Sequence, residues 1–121
     1  MGSRLSNRFS RKPDPQIEQK VQDLIDQNPV MIFSKSYCPF CTKTKDMLKR
    51  GRVPFKAVEL DRDSKTGTAM QTYLEQKTGQ RTVPNCFVGK QHIGGNDAMQ
   101  AAANNGSLKQ MLDRLGVKNK L

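Results

Sequence analysis

The 121-residue chain has no tryptophan, a single histidine and few aromatic residues, two tyrosines and five phenylalanines. It has only three cysteines. An odd, small count argues against a secreted fold stapled by disulfides and for a reducing, cytoplasmic setting. No apolar run is long enough to span a bilayer. No apolar stretch near the start reads as a secretory signal. Acidic residues are also scarce, 11 against 21 basic ones, and the formal net charge is +10. The excess is uneven. Arg4, Arg8, Arg11 and Lys12 stand in residues 1–12 without an acid, Lys118 and Lys120 close the chain, and the body between keeps +4 of the +10. A basic balance raises nucleic acid as a partner. No nucleic-acid motif is recognisable and aromatic interleaving is slight, so no such partner is expected. The length suits one domain with a real core.

The ends are expected to differ from the body. Residues 1–13 read as an unfolded basic tail, 14–115 as the domain, and 116–121 as a short basic C-terminal tail. Met1-Gly2-Ser3-Arg4-Leu5-Ser6 fits the N-myristoylation pattern, with Gly2 as acceptor. One acyl chain binds membranes only marginally, so the neighbouring arginines would supply the second, electrostatic signal. The same Arg- and Ser-rich segment also resembles the start of an organelle transit peptide. A plain solvated tail is the simplest alternative.

What the chain does have is Cys38-Pro39-Phe40-Cys41. It follows the apolar run 30–33, read as a buried strand. It opens a helical segment that runs to Arg50. Pro39 suits the first helical position, since its ring pre-sets φ and its missing N–H would be unpaired there. Cys38 then falls at the N-cap, where first-turn N–H groups and the positive end of the helix dipole favour an anionic sulfur. Cys41 lies about one turn on, close enough for a disulfide. Two cysteines so spaced at a strand–helix junction read as a redox dithiol.

The rest of the chain reads as follows. Asp14 and Pro15 cap and start a helix whose apolar face is Ile17, Val21, Leu24 and Ile25, ending before Asn28-Pro29. Gly51 is placed as the C′ residue of the CxxC helix. Residues 54–60 alternate as a strand. A helix spans about 66–78 with Met70, Tyr73, Leu74 and Lys77 on one side, stopped by Gly79. Residues 85–88 and 91–93 form a hairpin around Gly89-Lys90. A short helix follows Gly94-Gly95, and Ser107 to Gln110 read as a capping box opening the last helix. The order αβαβαββαα implies an α/β fold with a four-stranded mixed sheet flanked by helices. The first two strands, joined through a helix, should be parallel.

Four segments in this order, Lys35, Cys38-Pro39-Phe40-Cys41, Thr82-Val83-Pro84 and Gly94-Gly95-Asn96-Asp97, give the chain its resemblance to the dithiol glutaredoxins of the thioredoxin-like fold. The resemblance covers about 14–115. Phe40 stands where the family usually has Tyr, so the ring is kept and the hydroxyl lost. No Trp precedes the pair and Gly-Pro does not fill it, which sets the chain apart from thioredoxins proper. The resemblance implies a glutathione-dependent thiol–disulfide oxidoreductase, monomeric, with Cys38 as nucleophile and Cys41 resolving. Its partners would be glutathione, as cosubstrate, and glutathionylated or disulfide-containing proteins. It implies a glutathione groove bordered by Phe40 and by Thr82, with Lys35 and Gln71 at the glycyl carboxylate. A cis Pro84 would let Val83 pair with the cysteinyl part. Gly95, Asn96 and Asp97 would take the γ-glutamyl end, with Pro39, Arg81 and Gly94 in support.

Competing readings are bland or different in class. Cys38, Cys41, Cys86 and His92 could make a zinc tetrad, but the second pair lacks the usual spacing, and no metal is expected. Cys86 reads as a small apolar strand residue and His92 as a solvent-facing hairpin residue. Some glutaredoxins hold a [2Fe–2S] cluster between two subunits, and Pro39 argues against that here. A membrane-tethered redox sensor would rest on Gly2 and the basic tail.

Overall fold

The computed structural model describes residues 14–121. Gly2 and the basic residues before Pro13 lie outside them. The elements are α1 (Pro15–Gln27), β1 (Val30–Ser34), α2 (Pro39–Arg50), β2 (Lys56–Glu59), α3 (Ser64–Thr78), β3 (Asn85–Val88), β4 (Gln91–Gly94), α4 (Asn96–Asn104) and α5 (Ser107–Arg114). The sheet order is β2-β1-β3-β4. β1 and β2 are parallel, and the β1–β3 and β3–β4 pairs are antiparallel. This is the four-stranded mixed sheet and thioredoxin-like arrangement expected from the sequence.

β1 is central and buried on both faces, which is why its run is continuously apolar. Val30 and Ile32 face one layer, with Leu48, Cys86, Met99, Leu108 and Leu112. Met31 and Phe33 face the other, with Val21, Ile25, Met70, Leu74 and Phe87. So α2, α4 and α5 cover one face, and α1 and α3 the other. Phe33 and Phe87 meet edge to face at 5.9 Å.

Caps confirm some expectations and correct others. Asp14 accepts the Gln16 N–H at 2.8 Å, and Pro15 starts α1. Gly79 ends α3 in the left-handed region, as expected. Gly51 does not take that conformation; Arg52 does, at φ 53°. Gly51 is small for another reason: a Cβ there would lie 2.4 Å from the Leu121 side chain. The last residues run back over this spot, with Lys120 N–H donating to the Gly51 carbonyl at 2.6 Å and Val117 and Leu121 packed on the core. The capping box at Ser107 does not form. Gly106 is the N-cap and the Ser107 N–H goes to the Asn105 side chain. α3 starts two residues earlier than expected, capped by Asp63. Its buried line is Gly67, Met70 and Leu74, and Lys77 is exposed. Gly67 touches the end of β2 so closely that a Cβ would sit 1.7 Å from the Leu60 carbonyl oxygen.

Candidate active site

The site is built where β1 delivers the chain to α2. The Cys38 N–H donates to the Lys35 carbonyl at 3.1 Å, closing the turn between them. Cys38 is the N-cap of α2, with extended backbone, and Pro39 holds the first helical position. The Cys41 N–H donates to the Cys38 sulfur at 3.3 Å. A first-turn N–H of the helix is therefore spent on that sulfur. The Cys38 thiol reaches the Val83 carbonyl oxygen at 3.7 Å, so the sulfur touches the segment 82–84. The Val83–Pro84 peptide bond is cis.

Cys38 is partly exposed, whereas Cys41 is fully buried. Burial pushes the Cys41 thiol up to about 11, with the neighbouring Cys38 adding to the rise. The Ser34 hydroxyl and the Lys35 N–H pull the other way. Cys86 is buried among apolar side chains, and desolvation raises its thiol far above the ordinary range. His92 is not solvent-facing as expected. Its Nε2 lies 2.7 Å from Asn85 Oδ1, its ring packs on Phe87 at 5.2 Å, and desolvation lowers its pKa. The zinc reading has no geometric support, since no group of three or more potential ligands gathers among the described residues.

A groove of about 490 Å³ opens beside Cys38, lined by Phe40, Thr82, Val83, Pro84, Gly95, Asn96, Asp97 and Ala98. Of the residues named from the sequence, the structure thus brings seven to one groove. Phe40 is 54% exposed, and Lys43 Nζ sits 5.2 Å from its ring centroid. Asn96 Oδ1 accepts from Thr44 Oγ1 at 2.9 Å and from Gln100 Nε2 at 3.2 Å, which ties the start of α4 to α2. Asp97 is exposed and carries no ion pair among the described residues. Gly94 lies behind, with φ 128°, and a Cβ there would press Ala98 at 3.1 Å.

Lys35, Gln71 and Arg81 do not line this groove. Lys35 has no carboxylate partner among the described residues. Gln71 Nε2 donates to the Arg81 carbonyl at 2.6 Å, and the Arg81 guanidinium is paired with Glu75 at 2.9 Å. Sequence reasoning missed Gln80. Its Nε2 donates to the Thr82 carbonyl at 3.0 Å and the Pro84 carbonyl at 2.9 Å, pinning the segment against which Cys38 rests. It also missed Ala98. A hollow of about 520 Å³ between α1, β2 and α3 carries neither cysteine of the pair.

An N-capping thiol, a buried thiol one turn on, and an adjoining groove on this sheet define a dithiol oxidoreductase of the thioredoxin-like class. The comparisons narrow the class. The glutaredoxin family model matches residues 30–93, just over half of the chain. Glutaredoxin-1 of Rhizophagus irregularis is 52% identical over 100 residues, 83% of this chain and 98% of that one. A glutaredoxin of Solanum lycopersicum is 48% identical over 97 residues, 80% and 89% of the two chains. The crystal structure of a buckwheat glutaredoxin–glutathione complex superposes with a TM-score of 0.80 at 42% identity, covering 84% of this chain and 91% of that one. The chain belongs to the glutaredoxin family, and it is a glutathione-dependent thiol–disulfide oxidoreductase.

Proposed function

We propose that the protein reduces protein–glutathione mixed disulfides and protein disulfides through a Cys38 thiolate, with Cys41 resolving. The placement of Cys38 at the head of α2 beside the groove carries this reading. Cys38 attacks the glutathione sulfur of a glutathionylated protein. The protein thiol leaves, and Cys38 stays bonded to glutathione. A second glutathione attacks that disulfide, freeing Cys38 and giving oxidised glutathione. With a protein disulfide, Cys38 forms a mixed disulfide with the protein. Cys41 then attacks Cys38, and glutathione later reduces the Cys38–Cys41 pair. A poise of roughly −200 to −230 mV is expected.

The ligand assignment follows the groove. Glutathione has two carboxylates and one ammonium. Val83 offers backbone pairing to its cysteinyl part, in the manner of an added strand. The Asn96 and Asp97 N–H groups at the start of α4 suit the γ-glutamyl carboxylate, and the Asp97 carboxylate suits the ammonium. Lys35, whose carbonyl accepts the Cys38 N–H, suits the glycyl carboxylate; Gln71, bonded to the Arg81 carbonyl, and Arg81, paired with Glu75, give that end a weaker hold. A buckwheat relative was solved in complex with glutathione, which supports glutathione as a ligand of this fold. The chain acts as a monomer in the cytoplasm, and a membrane role would require acylation of Gly2.

The test is turnover of a small glutathione mixed disulfide with glutathione and its reductase present, followed across pH. Turnover in the wild type that vanishes in Cys38→Ser is the expected result. A folded, reduced protein with no turnover would overturn the proposal.

A further inference from the structure

The hollow between α1, β2 and α3 lies away from both cysteines of the pair, and the scheme above leaves it unused. Three cations line it: Lys20 on α1, Lys56 at the start of β2 and Arg62 just beyond its end. All three are exposed, and none is in an ion pair among the described residues. The two carboxylates in the lining are already engaged within the fold. Glu59 is held by Lys45 at 2.8 Å and by the Ser34 hydroxyl at 2.9 Å. Asp63 caps α3, accepting from the Thr66 N–H at 3.4 Å and the Thr66 hydroxyl at 2.9 Å. Leu24, Val58 and Met70 add apolar surface to the hollow. β2 is also an edge of the sheet. It pairs with β1, and no strand covers its outer side among the described residues. The Leu60 N–H donates to the Ser34 carbonyl at 2.8 Å, so the backbone of Leu60 turns toward β1. Backbone direction alternates along a strand, so Val58 and Lys56 turn inward too. Ala57 and Glu59 then aim their N–H groups at the open edge. Ala57 offers its carbonyl there as well, while that of Glu59 accepts the Arg62 N–H at 3.2 Å.

An open strand edge beside an apolar hollow with cations around it suits one kind of partner. We infer that this edge is a docking surface for an extended acidic segment of a partner protein, which adds to β2 as a further strand. Its backbone pairs with Ala57 and Glu59. On the face it turns to the hollow, carboxylates meet Lys20, Lys56 and Arg62, and an apolar side chain lies against Leu24 and Val58. A phosphate backbone would satisfy the cations but leave the strand edge unpaired, so nucleic acid fits less well. A second copy of this chain is repelled, since each carries a formal net charge of +10. The surface is separate from the Cys38 groove, so the inference does not depend on how the two thiols divide their work.

The experiment titrates the full, reduced chain with a capped, fluorescein-labelled peptide, Glu-Thr-Val-Thr-Glu-Thr-Glu, at low salt. Anisotropy reads affinity, and backbone amide NMR reads position. Binding should weaken as salt is added, and a peptide with Lys in place of each Glu should not bind. The largest amide shifts should fall on Ala57 and Glu59, with Asn96 at the groove unmoved. Lys56→Glu and Arg62→Glu should each weaken binding roughly tenfold, because like charges then face one another. Ala57→Pro keeps all three cations and removes one outward N–H, a change that an edge strand tolerates. It should weaken binding roughly fivefold or more, which charge attraction alone would not do. Absence of binding at low salt overturns the inference, as do shifts centred on Cys38 and Asn96. So does unchanged affinity in a folded Ala57→Pro; if that variant does not fold, the position of the amide shifts decides. Equal affinity for an oligothymidylate of the same charge overturns strand addition, and so does dimerisation of the chain that Lys56→Glu abolishes.

Discussion

The groove around Cys38 and the pocket behind Cys41 lie one helical turn apart, yet they are built on opposite plans. The groove is open and is drawn from three separate segments. Its parts are the head of α2, the segment 82–84 and the start of α4. Cys41 is fully buried, and one turn along α2 Lys45 pairs with Glu59, which also accepts from Ser34. An open surface can stabilise an anion that must meet a large substrate. Burial instead raises the Cys41 thiol and so favours its protonated form. The difference between the two thiols is thus a difference of surroundings, since their covalent chemistry is the same.

Exchanging the sulfurs is the harshest way to break this contrast. Cys38→Ser should abolish both deglutathionylation and disulfide reduction, a loss of at least about a thousandfold in turnover. Cys41→Ser should keep deglutathionylation and lose disulfide reduction, as read with a glutathione mixed disulfide and a protein disulfide side by side. Loss of both in Cys41→Ser would dissolve the division of labour. The charges proposed to meet glutathione, Asp97 in the groove and Lys35 outside its lining, should matter less. Asp97→Asn and Lys35→Ala should each raise KM for the glutathione substrate, by roughly tenfold, with a smaller change in kcat. Steady-state kinetics would show it, and an unchanged KM would remove that residue from the ligand set.

Smaller still is the effect of loosening the groove wall. Gln80→Ala deletes two hydrogen bonds to the 82–84 backbone, so it should cost about 1–2 kcal/mol in urea unfolding and raise KM modestly. The mildest test lies away from both thiols. His92 has a folded pKa below its ordinary 6.5, because it is partly desolvated. Its neutral form is the one the fold favours. Its contribution is therefore present above about pH 6.5 and fades as pH falls below that value, where the unfolded chain binds more protons. Replacement by Gln should flatten this part of the stability curve, seen as a smaller drop in Tm between pH 7 and 5.

The groove was legible in the sequence because its parts are short motifs that carry the resemblance to glutaredoxins. A cysteine before a proline at a helix start, a Val-Pro segment and a Gly-Gly turn each announce themselves within a few residues. The pocket was not. Ser34, Lys45 and Glu59 are ordinary polar residues, and only the parallel register of β1 and β2 sets Ser34 against Glu59. Gln80 was missed for the same reason, since a glutamine in a loop carries no signal until its two carbonyl partners are known. Gly67 reads as a weak spot in a helix until the Leu60 carbonyl is found where its side chain would be. The failed capping box at Ser107 is a competition lost locally. Gly106, in the left-handed region, takes the cap one residue early, and the Asn105 side chain claims the Ser107 N–H.

One contact has a meaning for how the molecule is observed. The Thr44 hydroxyl on α2 and the Asn96 amide at the head of α4 are joined by a single hydrogen bond between neutral groups. The helix that bears the sulfurs and the helix that closes the groove are therefore mechanically one piece at that point. A strain introduced at either cysteine, such as closing the disulfide, is passed to the far wall of the groove. An isotope label on the Asn96 amide would accordingly serve as a gauge of sulfur chemistry taking place on another helix, and it would do so without touching either thiol.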